Sequence, residues 1–244
     1  RISSLRDSPT QKVLPGLGGG AGGYSSGLVG ELRSGPVSVE HTVASNCRGA
    51  FVKGRATMDG SLLHGDLPLS SSLRVDGEAA VLMSGDAALA DFTPQRALFF
   101  DLETTGLPRG TCRERNAEVW KRRSRAAAAG TPLAFLIGAL RVDVDGVVDV
   151  HQFLLRQQHD ETAQLTEFCA LLDDVDYLVS FNGRSFDRNI LADRMVRNRI
   201  CPERILSLPH LDLLPPSARL YREAFGGSSL AILERRVLGV QRSV

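Results

Sequence analysis

Two carboxylates one residue apart, Asp101 and Glu103, close the apolar run of ALFFDLETTGL over residues 97–107. Side chains alternate along a strand, so both acids share a face with Phe99, their Cα atoms roughly 6.5 to 7 Å apart at about 3.3 Å per residue. Two like charges at the end of a buried strand repel and are costly to desolvate unless a cation lies between them. A hard divalent ion such as Mg²⁺ or Mn²⁺ meets that need, because it takes carboxylate oxygens and keeps positions open for water. Thr104, Thr105 and Gly106 then supply hydroxyls, a sharp turn and free backbone N–H groups where a substrate would approach. The plainer alternative for D-x-E is a solvated strand end.

A second constellation, SFNGRSFDRNIL over residues 180–191, weighs against that alternative. A buried-type strand ends at Asn182, Gly183 allows a turn, and Asp187 falls in the first turn of the next helix, four residues before Leu191. At that spacing Asp187 leans toward the sheet, a third carboxylate aimed at the same edge. Stabilisation of the helix dipole is its plainer alternative role.

These acids need a scaffold, and the chain from residue 97 supplies alternating strand and helix patterns. ALFFDLE, LAFLIGALRVD and GVVDVHQFLLR predict three consecutive strands, a meander in which DVDG (143–146) is the tight turn between the last two. DETAQLTEFCALLDD places Leu165, Phe168, Cys169 and Leu172 at helical spacing, with acids in the first turn. YLVSFN predicts a buried strand, RSFDRNILADRMVRN a helix and LPHLDLL a short fifth strand. PPSARLYREAF and SSLAILERRVLG predict two closing helices, the second capped by Ser228 or Ser229 and stopped by Gly239. The order describes an α/β fold, a mixed sheet with helices on its faces.

The motifs FFDLETTGL and FNGRSFD resemble the first and second motifs of the DnaQ-like exonucleases of the ribonuclease-H-like fold, which are built on four acidic metal ligands. In order, FFDLETTGL, AFLIGAL, HQFLLR, LVSFNGRSFDRNIL, HLDLLPPSARLYR and SSLAILERRVLGVQR resemble the bacterial YprB-type ribonuclease-H-like domain family, most firmly over residues 97–243. The resemblance implies a two-metal hydrolysis of nucleic-acid phosphodiesters, exonucleolytic from a 3′ end, with two Mg²⁺ or Mn²⁺ ions about 3.5 to 4 Å apart. It makes Asp101, Glu103 and Asp187 the catalytic metal ligands. Thr104, Thr105, Gly106 and Leu107 take positions that contact the terminal nucleotide, and Asn182 either orients substrate or satisfies the strand end. The final acid of the resembled family follows the LGV.R segment, so neither Asp212 nor His210 in HLDLL is assigned as fourth ligand or base. This sequence ends at Val244 and is expected to be truncated before that acid.

Where the family has a short link, residues 108–131 carry seven basic residues against Glu114 and Glu118, with Trp120 among them. They are either a phosphate-holding and base-stacking insertion or a solvated one. Residues 1–36 include LPGLGGGAGGYSSG and are expected to be a flexible Gly/Ser-rich tail; residues 37–93 are expected to form a small, irregular β-rich subdomain ahead of the 94–244 domain. GAFVKGRATM, GSLLHGDLPL and GEAAVLMSGD read there as short strands or hairpins.

A net charge of +1 makes no demand for a nucleic-acid or membrane partner, so any such partner must be argued from local features. No apolar run approaches the roughly 18 residues of a membrane helix. The four cysteines, Cys47, Cys112, Cys169 and Cys201, are scattered, which predicts a reducing, cytoplasmic setting. Nucleic acid is the expected partner. A catalytically silent ribonuclease-H-like binding domain is the main alternative; an aspartyl-phosphate phosphatase leaves FNGRSFD unexplained and has Glu where a second Asp is needed.

Overall fold

The computed structural model describes residues 28–34, 37–105 and 132–240, with side chains from residue 39 onward. Three antiparallel strands, β1 (Leu28–Ser34), β2 (Val37–Asn46) and β3 (Gly49–Met58), come first. A two-residue-per-strand hairpin, β4 (Leu63–His64) and β5 (Leu67–Pro68), and the helix α1 (Gly77–Ser84) follow. The expected meander is β6 (Ala97–Thr104), β7 (Ala134–Val142) and β8 (Val148–Leu154). Then come α2 (Glu161–Ala170), β9 (Tyr177–Ser180), α3 (Asp187–Arg197), α4 (Glu203–Ser207), β10 (His210–Asp212), α5 (Leu214–Phe225) and α6 (Leu230–Val237).

All the strands except β4 and β5 form one mixed eight-stranded sheet in the order β1-β2-β3-β8-β7-β6-β9-β10. β6, β9 and β10 run parallel, with α2 leading from β8 into β9 and α3 and α4 leading from β9 into β10, and every other neighbouring pair is antiparallel. This is the mixed sheet flanked by helices that the sequence implied, a ribonuclease-H-like α/β fold. The DVDG turn closes as expected. Asp143 Oδ1 accepts from the backbone N–H of Asp145 (2.9 Å) and Val147 (2.8 Å), and Gly146 takes φ 83°.

The N-terminal region differs from expectation. Residues 37–58 do not stand apart as a subdomain, because β3 pairs with β8 from Val52 opposite Leu154 to Met58 opposite Val148 and so extends the meander. Residues 28–34, expected within a flexible tail, are the strand β1 at the outer edge. The first correction comes from a pairing far apart in sequence, which local composition does not reveal; the second comes from the β1–β2 hairpin, formed where the Gly/Ser-rich composition points to a tail. GEAAVLMSGD is a helix rather than a strand. The Asp76 carboxylate accepts from the Ala79 N–H (2.9 Å), and Gly85, at φ 72°, closes the C-terminus.

Each sheet face carries its own core. Leu98, Phe100 and Leu102 of β6 pack with Leu165 and Phe168 of α2 and with Ile190, Leu191 and Met195 of α3. The opposite face gathers Ala97, Phe99, Tyr177, Val179 and Leu211 against Ala80, Leu89 and Phe92. Along β6 that second core stops at Phe99, and the next two side chains on its face are Asp101 and Glu103. Among the described residues, no helix is long and apolar enough to cross a membrane.

Candidate active site

The pairing of β6 with β9 runs in parallel from Ala97 opposite Tyr177 to Phe99 opposite Val179 and then stops. Asp101 and Glu103 therefore extend past the last β6–β9 pair, while β7 still supports them from the other side. The β7 residue opposite Asp101 is Gly138, which places no side chain beside the carboxylate. Both acids are half-buried. The register shifts between Glu103 and Thr104, a bulge of the kind that re-aims a strand end. Thr105 is tied to Leu133: its N–H donates to the Leu133 carbonyl and its hydroxyl accepts from the Leu133 N–H, both at 3.0 Å. Its hydroxyl thus braces the strand ends. Gly106 and Leu107, and the basic segment 108–131, lie outside the described residues.

The loop between β9 and α3 is built by polar groups at the ends of two adjacent parallel strands. Asn182 adopts the left-handed conformation at φ 71°, which asparagine tolerates better than most residues. The carboxylate of Asp212, at the end of β10, accepts three backbone N–H groups: Asn182 at 2.7 Å, Arg184 at 3.1 Å and Leu214 at 3.0 Å. Ser180 Oγ accepts the Gly183 N–H at 3.0 Å and lies 2.8 Å from His210 Nε2. Gly183 is required by close approach. A Cβ there would stand 2.5 Å from Ser180 Oγ and 3.0 Å from Asp187 Oδ2.

This loop delivers Asp187 to the first turn of α3, where Arg188 N–H donates to the Gly183 carbonyl at 2.9 Å. Burial, followed by the charges of Asp101, Asp212 and Glu103, pushes the Asp187 carboxyl up to about 7. The three sequence-predicted acids thus share one electrostatic neighbourhood, joined by Asp212. Among the described residues, however, no group of three His, Cys, Asp or Glu side chains is drawn together closely enough to hold a metal ion as it stands.

His210 and Asp212, left unassigned from the sequence, are engaged within the fold. His210 is buried, packs against Phe100 with the rings tilted by 39° and their centres 5.6 Å apart, and is driven down to about 3 by burial and by the charges of Arg188 and Arg184. A ring held neutral in this way is no proton acceptor near neutral pH. Asp212 spends its oxygens on the loop. Sequence reasoning missed Ser180 as its partner in that scaffold. The only available signal was a polar residue at the end of each of two short strands, and their register, Ser180 opposite Asp212, exists only once β9 and β10 pair.

Fold and strand-end acids together define a ribonuclease-H-like protein. Residues 127–244 match a family described as the RNase_H superfamily. The chain is also 31% identical over 154 residues to "Uncharacterized protein YprB" of Bacillus subtilis (strain 168), an alignment covering 62% of this chain and 32% of that protein. Both matches make the chain similar to ribonuclease-H-like proteins of the YprB type, in keeping with its fold. The chain spans about a third of the length of the curated relative it matches. No solved structure matches it.

Proposed function

We propose that the domain hydrolyses nucleic-acid phosphodiesters in a divalent-metal-dependent, 3′-to-5′ exonuclease-like manner, with Asp101, Glu103 and Asp187 as the metal ligands. One observation carries the reading. Two separate elements, the end of β6 and the start of α3, bring three acids into one neighbourhood in which the charge on Asp187 is opposed by the other two. The donor set fits Mg²⁺ or Mn²⁺, being all oxygen and like-charged on a scaffold whose backbone is held by Asp212. When bound there, a pair of such ions would lower the pKa of the attacking water and stabilise the leaving oxygen.

The chain's own residues supply the rest. Asp187 holds a proton part of the time at neutral pH and must release it to become a ligand, so metal affinity rises as pH passes through about 7. Thr104, Gly106 and Leu107 are the candidate floor for the terminal nucleotide. Thr105 and Asn182 act chiefly through structure: the Thr105 hydroxyl bonds Leu133, and the Asn182 backbone bonds Asp212. Cys47, Cys169 and Cys201 are free thiols, in keeping with a cytosolic setting.

A silent binding domain is the second reading, favoured by the lack of a ready three-ligand group among the described residues and by the engagement of Asp212 with backbone. End-labelled single-stranded DNA and RNA incubated with the chain in Mg²⁺ or Mn²⁺ separate the two. Stepwise shortening from the 3′ end that disappears in Asp101→Asn supports the nuclease. Binding without shortening in any metal supports the silent domain and overturns the nuclease.

A further inference from the structure

Beside the acids, the loop before α3 and the first turn of α3 carry two arginines, Arg184 and Arg188. Arg188, next to Asp187 on α3, is half-buried; its Nε is buried with no hydrogen-bond partner, and no carboxylate among the described residues pairs with it. Other arginines nearby are satisfied. Arg194 binds Glu161, Arg204 donates to the Leu172 and Val175 carbonyls, and Arg219 donates to the Met83 carbonyl. The strongest charge acting on Arg188 is another cation, Arg184, four residues earlier in the loop that precedes α3. Arg184 is exposed, touches Asp86 at 3.6 Å, and has its backbone pinned by the N–H bond to Asp212 Oδ2. Both arginines act on the buried, neutral His210.

Of these two guanidinium groups four residues apart, Arg188 has a buried unpaired donor and Arg184 reaches a carboxylate only at 3.6 Å, which leaves donors on both for an anion. The guanidinium fork matches the oxygens of a phosphate and does so on a fixed backbone. Successive positions on a helix differ by roughly 100°, so Arg188 faces away from the cluster that Asp187 joins. The pair would therefore hold a phosphate that flanks the cleaved one.

We propose that Arg184 and Arg188 form a phosphate-binding subsite that grips the backbone of a nucleic-acid strand beside the acid cluster. The proposal rests on the nuclease reading for its ligand, yet it concerns binding and is tested without catalysis.

The test is fluorescence anisotropy of a labelled oligothymidylate with the intact chain, with Ca²⁺ in place of Mg²⁺, over a series of KCl concentrations. Removing one phosphate-binding charge should make the slope of log K against log[salt] shallower by about 0.7 for a single strand. Arg184→Gln and Arg188→Gln are expected to do so singly and to add in the double variant. Arg188→Lys keeps the charge and should keep most of the slope. Arg48→Gln, an exposed arginine on the β2–β3 turn, removes the same charge elsewhere and should leave the slope unchanged. Should Arg188→Gln fail to fold, the exposed Arg184 still provides the measurement. Wild-type slopes in the folded variants overturn the subsite and leave the nuclease reading standing. A wild-type chain that binds no strand overturns both.

Discussion

Helix α3 carries two charged side chains near its opposite ends, and the protein treats them oppositely. Arg194, in the penultimate turn, is buried against Glu161 of α2: its Nε donates at 2.5 Å, and a second guanidinium nitrogen bonds the other carboxylate oxygen. Asn198 donates to Glu161 Oε2 at 2.8 Å and to the Arg194 carbonyl at 2.9 Å, and accepts from the Thr162 hydroxyl at 2.6 Å. Charge there is neutralised and the hydrogen bonds are complete. Asp187, in the first turn, faces Asp101, Asp212 and Glu103, all of its own sign. A buried charge that the fold itself pairs serves to lock two helices together. A buried charge surrounded by its own kind is a cost that structure alone does not explain, and it points to a ligand.

The comparison breaks or sharpens under mutation, and the largest effect belongs to the structural pair. Glu161→Ala strands the Arg194 guanidinium in the interior and should cost about 3–5 kcal/mol in urea unfolding. Replacing both partners, Glu161→Leu with Arg194→Met, should recover most of that loss. If the single and double variants were equally stable, the pair would not be the lock described.

Asp187→Asn should do the reverse. Metal-dependent strand shortening should fall by at least about 100-fold, the upper range seen when groups supporting a metal are removed. The melting temperature at pH 8 should rise, because a repelled carboxylate is gone. A fall in melting temperature would put Asp187 among the structural charges.

Gly183→Ala is expected to cost about 1–3 kcal/mol by forcing a methyl against Ser180, and to slow hydrolysis by shifting Asp187 Oδ2. Chemical denaturation and rate measurements on the same preparation would show whether both effects appear.

The smallest effect is a pH slope. The Asp187 carboxyl is raised from 3.8 to about 7 in the folded chain, so the folded state binds the proton more tightly than the unfolded state. Its favourable contribution is complete below about pH 4 and is lost as pH rises through about 7. Thermal melts should show wild type losing stability relative to Asp187→Asn over that range, and Mg²⁺ restoring part of the loss only in wild type. Parallel profiles would remove Asp187 from the acid cluster.

Much of the fold was legible because it is written in local periodicity. The meander, the DVDG turn, the helices after it and the Ser229 cap, which accepts from the Ile232 N–H, follow from alternation, helical spacing and turn chemistry. Residues 77–84 mislead because GEAAVLMSGD has no clear period; capping by Asp76 and burial of Ala80 decide the helix. The union of residues 37–58 with the main sheet was illegible for a different reason, since β3 finds β8 about a hundred residues away.

For the site, the sequence by itself determined that Asp101 and Glu103 share a face, because strand alternation is a local property, and that Asp187 opens a helix after a glycine turn. Only the tertiary structure decided that these acids feel one another's charge, because β6 and β9 must pair in parallel for one strand end to lie near the other. It alone assigned Asp212 to holding the loop and Ser180 to bridging His210 and Gly183, and it alone left Arg188 without a counter-charge among the described residues. Each of these depends on which groups remain unpaired once the chain has closed on itself, a quantity that no local stretch of residues contains.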